Sequence, residues 1–179
     1  MNIEIEAKLK VDSLESVKES LERLGASFVA EQLQKDFYFD DSNSAFTKSD
    51  SCLRLRWQKN ECGESFFLTY KGPKQKSDFK KRVEIEIEVD DFKAAEKFLS
   101  ALGYKKAIVV EKKRQLWRLG GCLVSLDNVS DLGRFVEIEG PDDKKITKVQ
   151  KRLGLENCRH IKNSYADLLA EKLHLQTER

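Results

Sequence analysis

Glu4 and Glu6, followed by Lys8 and Lys10, alternate with Ile3, Ile5, Ala7, Leu9 and Val11 in the stretch IEIEAKLKV. In an extended chain successive side chains point to opposite faces, so the charged groups share one side of a strand and the apolar groups the other. The pattern returns in KRVEIEIEV, where Arg82, Glu84, Glu86 and Glu88 fall in phase, and in FVEIEG, where Glu137 and Glu139 do. Further segments carry cations in the same way: Arg54 and Arg56 in CLRLRW, Lys71 beside Thr69 in FFLTYKG, and Lys112 with Arg114 in EKKRQLW. CLVSLDN leads to Asp127, and QKDFYFD puts Asp36 and Tyr38 in phase. Glu4, Glu6, Asp127, Glu137 and Glu139 are hard oxygen ligands suited to Mg²⁺ or Mn²⁺. Arg54, Arg56, Lys71, Arg82 and Arg114 are donors suited to phosphate oxygens, the arginines in two-point fashion. A polyphosphate held by cations, with metal ions bridging it to carboxylates, needs both sets in one cavity.

The elements that must position these groups come in two rounds. EAKLKVDSLESVKESLERLGA, from Glu6, matches EIEVDDFKAAEKFLSALGY, from Glu84, at one offset that carries Val11 onto Val89, Leu24 onto Leu102 and Gly25 onto Gly103. LTYKGP and VEIEGP, each ending in Gly-Pro, form a second match. Each half reads as a charged strand, a helix and three further strands. For the first helix, Asp12 is the expected cap, with Glu15 completing a capping box and Leu14, Val17, Leu21 and Leu24 as the apolar stripe. The second is expected from about Asp91 with a stripe of Phe92, Ala95, Leu99 and Leu102, the third from Pro141-Asp142-Asp143 to near Gly154, and a fourth over 163–173.

About eight strands and four helices leave two arrangements. An open sheet would turn its charged face to solvent. A closed barrel would turn it inward, giving a tunnel lined with both signs of charge and an outer apolar face for the helices to cover. The scarcity of Ser, Thr, Gln and Asn on the charged face favours the tunnel. Charges buried in such numbers require partners, from each other or from a ligand. The expected class is therefore α+β, one domain over 1–179, with an eight-stranded antiparallel barrel of two similar halves and flanking helices.

The balance of 33 basic against 31 acidic residues, net +2, argues against a DNA-coating surface. Carboxylates on the cationic face would also repel a nucleic-acid backbone, so no nucleic-acid partner is expected. Cys52, Cys62, Cys122 and Cys158 lack metal-ligand spacing and read as free thiols. There is no phosphate-binding G-x-x-x-x-G-K-[ST] loop and no G-x-G-x-x-G, and His160 and His174 sit in no nucleophile constellation. The basic stretch KGPKQKSDFKKR (71–82) reads as a mobile connection whose Lys74, Lys76, Lys80 and Lys81 either close over an anion or are simply solvated. The chain opens on the charged strand without a basic-then-apolar leader, and no apolar run approaches a membrane span; a cytoplasmic location without a membrane partner is the expectation.

The order of marks (Glu4-Ile5-Glu6-Ala7-Lys8, then LRLRW, LTYKGP, RVEIEIEV, KKRQLW, SLDNVSDLGRFVEIEG and NSYADLL) resembles the CYTH superfamily of triphosphate tunnel metalloenzymes, closest to the branch of class IV adenylyl cyclases. The resemblance implies an eight-stranded tunnel, divalent metal at Glu4, Glu6, Glu137 and Glu139, and Asp127 helping to hold or position it. It further implies triphosphate binding by Lys8, Arg54, Arg56, Lys71, Arg82, Lys112 and Arg114, with Lys8, Arg56, Lys71, Arg114 and Asp127 taking part in catalysis. Glu84 and Glu86 would be polar partners within the tunnel, while Lys10 and Glu88 would lie outside the site. A nucleoside triphosphate or another triphosphate is the implied substrate, and a homodimer is compatible with the family.

Three reactions stay open: ATP to cyclic AMP and pyrophosphate, hydrolysis of thiamine triphosphate, and hydrolysis of inorganic triphosphate. A non-catalytic nucleotide or polyphosphate binder is the alternative of another class. The HF-x-G-R stretch of class IV cyclases is missing before Glu4, which weighs against cyclisation, whereas SLDNVSDLGRFVEIEG is cyclase-like. Phe135 or Tyr38 is a candidate for a base pocket and Trp57 or Trp117 for a thiamine platform, each with packing as the competing role.

Overall fold

The computed structural model describes residues 2–177. Eight strands close into a fully antiparallel barrel in the order β1-β5-β4-β3-β2-β6-β7-β8. They are β1 (Asn2–Lys10), β2 (Ser27–Asp40), β3 (Cys52–Asn60), β4 (Gly63–Lys71), β5 (Lys80–Val89), β6 (Lys105–Leu119), β7 (Cys122–Val129) and β8 (Gly133–Glu139). Helices α1 (Leu14–Arg23) and α3 (Phe92–Ala101) follow β1 and β5, the one-turn α2 (Ala45–Lys48) lies between β2 and β3, and α4 (Asp143–Arg152) and α5 (Tyr165–Thr177) close the chain. The repeat in the sequence is thus a repeat in space. Exchanging β1–β4 with β5–β8 maps the barrel order onto itself, with the halves joined at β1–β5 and β2–β6.

Closure turns the charged face inward. Ile5, Ala7 and Leu9 of β1 and Val124, Leu126, Val136 and Ile138 of β7 and β8 point outward into a core sealed by Val17 and Leu21 of α1 and Ile146 and Val149 of α4. A second outer cluster, Phe39, Leu53, Leu55 and Leu99, lies under α3. These two clusters are pads on the barrel's outside, while a third, Val110, Val129 and Phe135 with Tyr165 and Leu169 of α5, lies on the inward phase of β6, β7 and β8. Trp117 belongs to the first pad, edge-on to Phe28 at 5.2 Å, and Trp57 donates from Nε1 to Glu64 at 3.0 Å. Neither tryptophan lines the tunnel.

Several local expectations need correction. Ser13, not Asp12, caps α1: its Oγ accepts from the Ser16 N–H at 3.3 Å, so no capping box with Glu15 forms. Leu102, expected on the apolar stripe of α3, is exposed, since the helix buries only Leu99 deeply. Strands β2 and β6 begin earlier than their alternation indicates, because register shifts at Phe28/Ala30 and Tyr38/Phe39 break the period of two. The connection after β4 covers only 72–79, since Lys80 and Lys81 already belong to β5. It is tied down by Gln75 N–H to Lys81 C=O at 2.8 Å and by Lys74 to Asp50 at 2.6 Å.

Gly140 follows β8 and lies against Ile146 of α4. A Cβ there would lie 2.8 Å from Cys122 Sγ and 2.9 Å from Ile146 Cγ1, both in the core. Gly140→Ala is expected to cost about 1–3 kcal/mol through overpacking. A urea melt of the variant, with its midpoint lowered at unchanged slope, checks this.

Candidate active site

The barrel encloses a cavity of about 950 Å³. Its wall includes Glu4, Glu6 and Lys8 of β1, Arg54 and Arg56 of β3, Lys71 of β4, Arg82, Glu84 and Glu86 of β5, Lys112 and Arg114 of β6, and Glu137 and Glu139 of β8. These residues come from six strands and meet only because the sheet closes. Asp127 does not reach the wall. It is wholly buried behind Arg114 and takes Nε at 2.7 Å, Nη2 at 2.5 Å and the Tyr165 hydroxyl at 2.8 Å.

The charges are paired across strands. Lys71 Nζ donates to both oxygens of Glu4 at 2.6 and 2.7 Å, with Glu84 at 3.3 Å. Lys80, absent from the sequence-based set, is buried and donates to Glu6 at 2.7 Å. Arg114 reaches past Asp127 to Glu137 at 2.5 Å. Lys8 is almost wholly buried, with Glu137 at 3.4 Å, the Asn163 carbonyl at 3.0 Å and the Tyr165 ring centre at 4.0 Å. Arg54 donates to Thr69 at 2.9 Å and Glu86 at 3.2 Å. Arg82 serves as a tie: its guanidinium donates to the Asp50 carboxylate and carbonyl and to the Gly72 carbonyl, linking the segment before β3 to the start of the β4–β5 connection. Lys10 is exposed near the Phe135 ring, and Glu88 is exposed too, so neither belongs to the cavity wall.

Asp36 is a residue that the reading of the sequence noted but gave no role. Its carboxylate is 0 % exposed and accepts from Arg56 Nε at 2.6 Å, Arg56 Nη2 at 2.9 Å and Lys112 Nζ at 2.8 Å, with Arg54 at 3.8 Å. The available signal was its phase with Gln34 and Tyr38 on β2, which line the same cavity. Tyr165 was equally unassigned. It reaches the site from α5, and Phe135, in phase with Glu137, packs edge-on against it at 5.1 Å.

The electrostatics sort the acids into two groups. Burial opposes the ionisation of Asp36, but Arg56, Lys112 and Arg54 outweigh it and hold that carboxyl well below its usual range. Burial likewise opposes Glu137, which Arg114 and Lys8 hold well below the usual range, and Glu4, which Lys71 and Lys80 lower. Glu139 behaves in the opposite way. Burial, then the neighbouring Glu4 and Glu6, push it up to about 7. Lys112 is pushed down to about 7, mainly by burial and despite Asp36.

Crowding of Glu139 with Glu4 and Glu6 is the condition that a divalent cation relieves. The donor set is all carboxylate oxygen, which fits Mg²⁺ or Mn²⁺ in chemistry. Among the described residues no three carboxylates converge within ligating reach, and Glu4 and Glu6 are held instead by Lys71 and Lys80.

At the end beside α2 and α5 the cavity is lined by Tyr38, Phe46, Ile108, Tyr165 and Ala170, with Tyr38 and Ile108 packed in one cluster with Tyr165. The opposite end is marked by Gln32, Gln58, Phe67, Leu116 and Leu123.

Comparison with known proteins gives consistent matches. The CYTH domain family matches residues 2–165. A Methanocaldococcus jannaschii protein named "putative adenylate cyclase" is 33% identical over 175 residues, covering 93% of this chain and 98% of its own. The adenylate cyclase CyaB of Aeromonas hydrophila is 24% identical over 186 residues, covering 98% and 93%. Among solved structures, the PH1819 protein of Pyrococcus horikoshii superposes with a TM-score of 0.83 at 31% identity, covering 94% of this chain and 99% of that one. With a closed eight-stranded tunnel and a family match over nearly its whole length, the chain belongs to the CYTH family.

Proposed function

We propose that the chain is a divalent-metal-dependent enzyme acting on a triphosphate-bearing substrate, and that its reaction is cyclisation of ATP to cyclic AMP and pyrophosphate. The observation that carries the reading is the joint presence, in one cavity, of arginines and lysines suited to phosphate and of the glutamates Glu4, Glu6, Glu137 and Glu139, with Glu139 directly opposite Glu6 on the neighbouring strand. Glu4, Glu6, Glu137 and Glu139 would hold Mg²⁺ or Mn²⁺, which when bound supplies Lewis-acid polarisation of a phosphoryl oxygen.

The chain's own groups do the rest. Arg56 and Arg114, each held through two nitrogens by a buried aspartate, keep a further nitrogen for phosphate oxygens. Lys71 and Lys80 instead carry point charges on long stems. They now neutralise Glu4 and Glu6, and they turn to the triphosphate when those acids are otherwise engaged. Fixed donors in a closed tunnel stabilise charge spreading onto phosphoryl oxygens without reorganising. Asp127, with both oxygens committed to Arg114, supports the site as an anchor.

The aromatic lining beside α2 supports an organic triphosphate, because Tyr38 and Phe46 suit a base or another ring better than bulk phosphate. Together with the cyclase names of the relatives, it ranks ATP first. Hydrolysis of thiamine triphosphate or inorganic triphosphate would use the same clamp with water in line, and a polyphosphate binder would use it without turnover. A single domain over 1–179, a cytoplasmic location and homodimer formation stay with this reading as expectations. Among the described residues no helix is long and apolar enough to cross a membrane.

The deciding experiment offers ATP, thiamine triphosphate and inorganic triphosphate separately with Mg²⁺ and Mn²⁺, resolving products by phosphorus NMR and chromatography. Cyclic AMP with pyrophosphate is expected. Orthophosphate without cyclic AMP would make the protein a triphosphatase, and no product with tight binding would make it a binder. In the same assays Lys71→Ala should weaken triphosphate affinity about 10–100-fold, the equivalent of one or two charge-assisted hydrogen bonds. Titration calorimetry checks that value.

A further inference from the structure

Asp36 sits where no phosphate-binding role is open to it, since a carboxylate repels phosphate, yet it is the most enclosed charge on its strand. The internal repeat explains its position. The offset that carries Glu6 onto Glu84 carries Asp36 of β2 onto Arg114 of β6. Asp36 faces Arg56 of β3 as a direct cross-strand partner, and Arg114 faces Asp127 of β7 in the same way. Each half of the barrel therefore holds one arginine by a two-point bond to a buried aspartate, with the signs exchanged between the strands. In the first half the same aspartate also holds Lys112, which comes from the other half across the β2–β6 seam.

We propose that Asp36 is a positioning residue for the triphosphate clamp: from β2 it fixes Arg56 of β3 and Lys112 of β6 in the arrangement that an incoming triphosphate meets. The inference rests on the triphosphate reading of the cavity. Arg56 uses Nε and Nη2 on Asp36, which sets the plane of its guanidinium and aims Nη1. Lys112 uses one of its three N–H donors on the same carboxylate. Two cations from different strands are thereby held side by side before any ligand binds, against their mutual repulsion.

Removing the carboxylate has two opposed effects. It deletes a negative charge, which by itself would favour an anion. It also frees the guanidinium plane and leaves Lys112 buried among Arg56 and Arg54 of β3 and Arg114 of β6. Among the described residues Asp127 of β7, Glu137 of β8 and the Tyr165 ring of α5 would remain to oppose them. Lys112 then sheds its proton more readily, so the cation lost offsets the anion lost, and the orientation is lost as well.

The test is titration calorimetry with inorganic triphosphate in EDTA, which needs no metal and no turnover. Asp36→Asn should raise Kd about 10–100-fold in the otherwise unchanged protein. In an Arg56→Gln/Lys112→Gln background the same substitution should no longer raise Kd, and with no Lys112 charge to lose it should leave Kd equal or lower, because the residues it acts through are gone. A loosened fold would instead cost affinity equally in both backgrounds. Equal affinities of wild type and Asp36→Asn, or an undiminished loss in the double-variant background, would overturn the inference while leaving the triphosphate reading intact. Failure of the wild-type protein to bind triphosphate would overturn that reading and this inference together. If Asp36→Asn does not fold, Asp36→Glu, which keeps the charge and displaces it by one methylene, is expected to show the same loss and the same dependence on background.

Discussion

Arg114→Ala is expected to destabilise the protein by about 3–5 kcal/mol, the usual cost of leaving a buried charge without its partner. Asp127 is 0 % exposed and, among the described residues, would keep the Tyr165 hydroxyl as its side-chain hydrogen bond, while Glu137 would keep its ion pair with Lys8 at 3.4 Å. Burial lowers the Arg114 pKa, and Asp127 and Glu137 overcome that and hold it well above its usual value. The ion cluster is thus a net gain only while complete. At about 2–4 °C per kcal/mol for a chain of this size, the melting temperature should fall by roughly 6–20 °C. Calorimetry or circular dichroism checks this, and a fall below about 2 °C would show that the cluster is dispensable to the fold. Binding of triphosphate should be lost in the same variant, since one fixed guanidinium of the clamp goes with it.

Glu137→Gln has the largest expected effect on turnover. The substitution preserves shape but removes the charge that Arg114 meets at 2.5 Å and Lys8 at 3.4 Å, and it removes one of the four acids proposed to hold metal. Loss of a metal ligand at a phosphoryl centre is worth several kcal/mol, so kcat should fall by about 100–1,000-fold. Affinity for metal-free triphosphate should hold or improve, because the wall becomes less negative. Steady-state kinetics across Mg²⁺ concentrations separates the two effects. A variant with unchanged kcat would remove Glu137 from the metal group, and Glu6→Gln would then be the remaining test of that group.

The barrel was legible because a closed sheet imposes one rule on every strand. Residues of one phase face the interior, so Glu4, Glu6, Lys8, Arg54, Arg56, Glu84, Glu137 and Glu139 announce themselves by alternation alone. Alternation fails where the strand is irregular. The start of β2 and the start of β6 were hidden by register shifts that put two residues of one strand against one of the other. It also fails at junctions: Lys80 follows a run of loop residues, and only its pairing opposite Glu6 makes it part of the site.

Roles were less legible than places. Asp36 and Asp127 read alike in sequence as inward carboxylates, and neither reads as a holder of arginine, because that depends on which residue stands opposite in the next strand. Arg82 shares the phase of Glu84, yet the segment 50–51 folds back over it and claims its guanidinium. Tyr165 arrives from a helix far along the chain, and no strand pattern points to it.

The most direct test of the central claim is a crystal structure of the protein grown with Mn²⁺ and a non-hydrolysable ATP analogue, read through manganese anomalous scattering. The account predicts a manganese peak inside the barrel, ligated by carboxylates from among Glu4, Glu6, Glu137 and Glu139. The triphosphate should lie against Arg56, Lys71, Lys112 and Arg114, with the base towards Tyr38 and Phe46. Manganese and nucleotide bound outside the barrel, with Lys71 still on Glu4 and Lys80 still on Glu6, would contradict it.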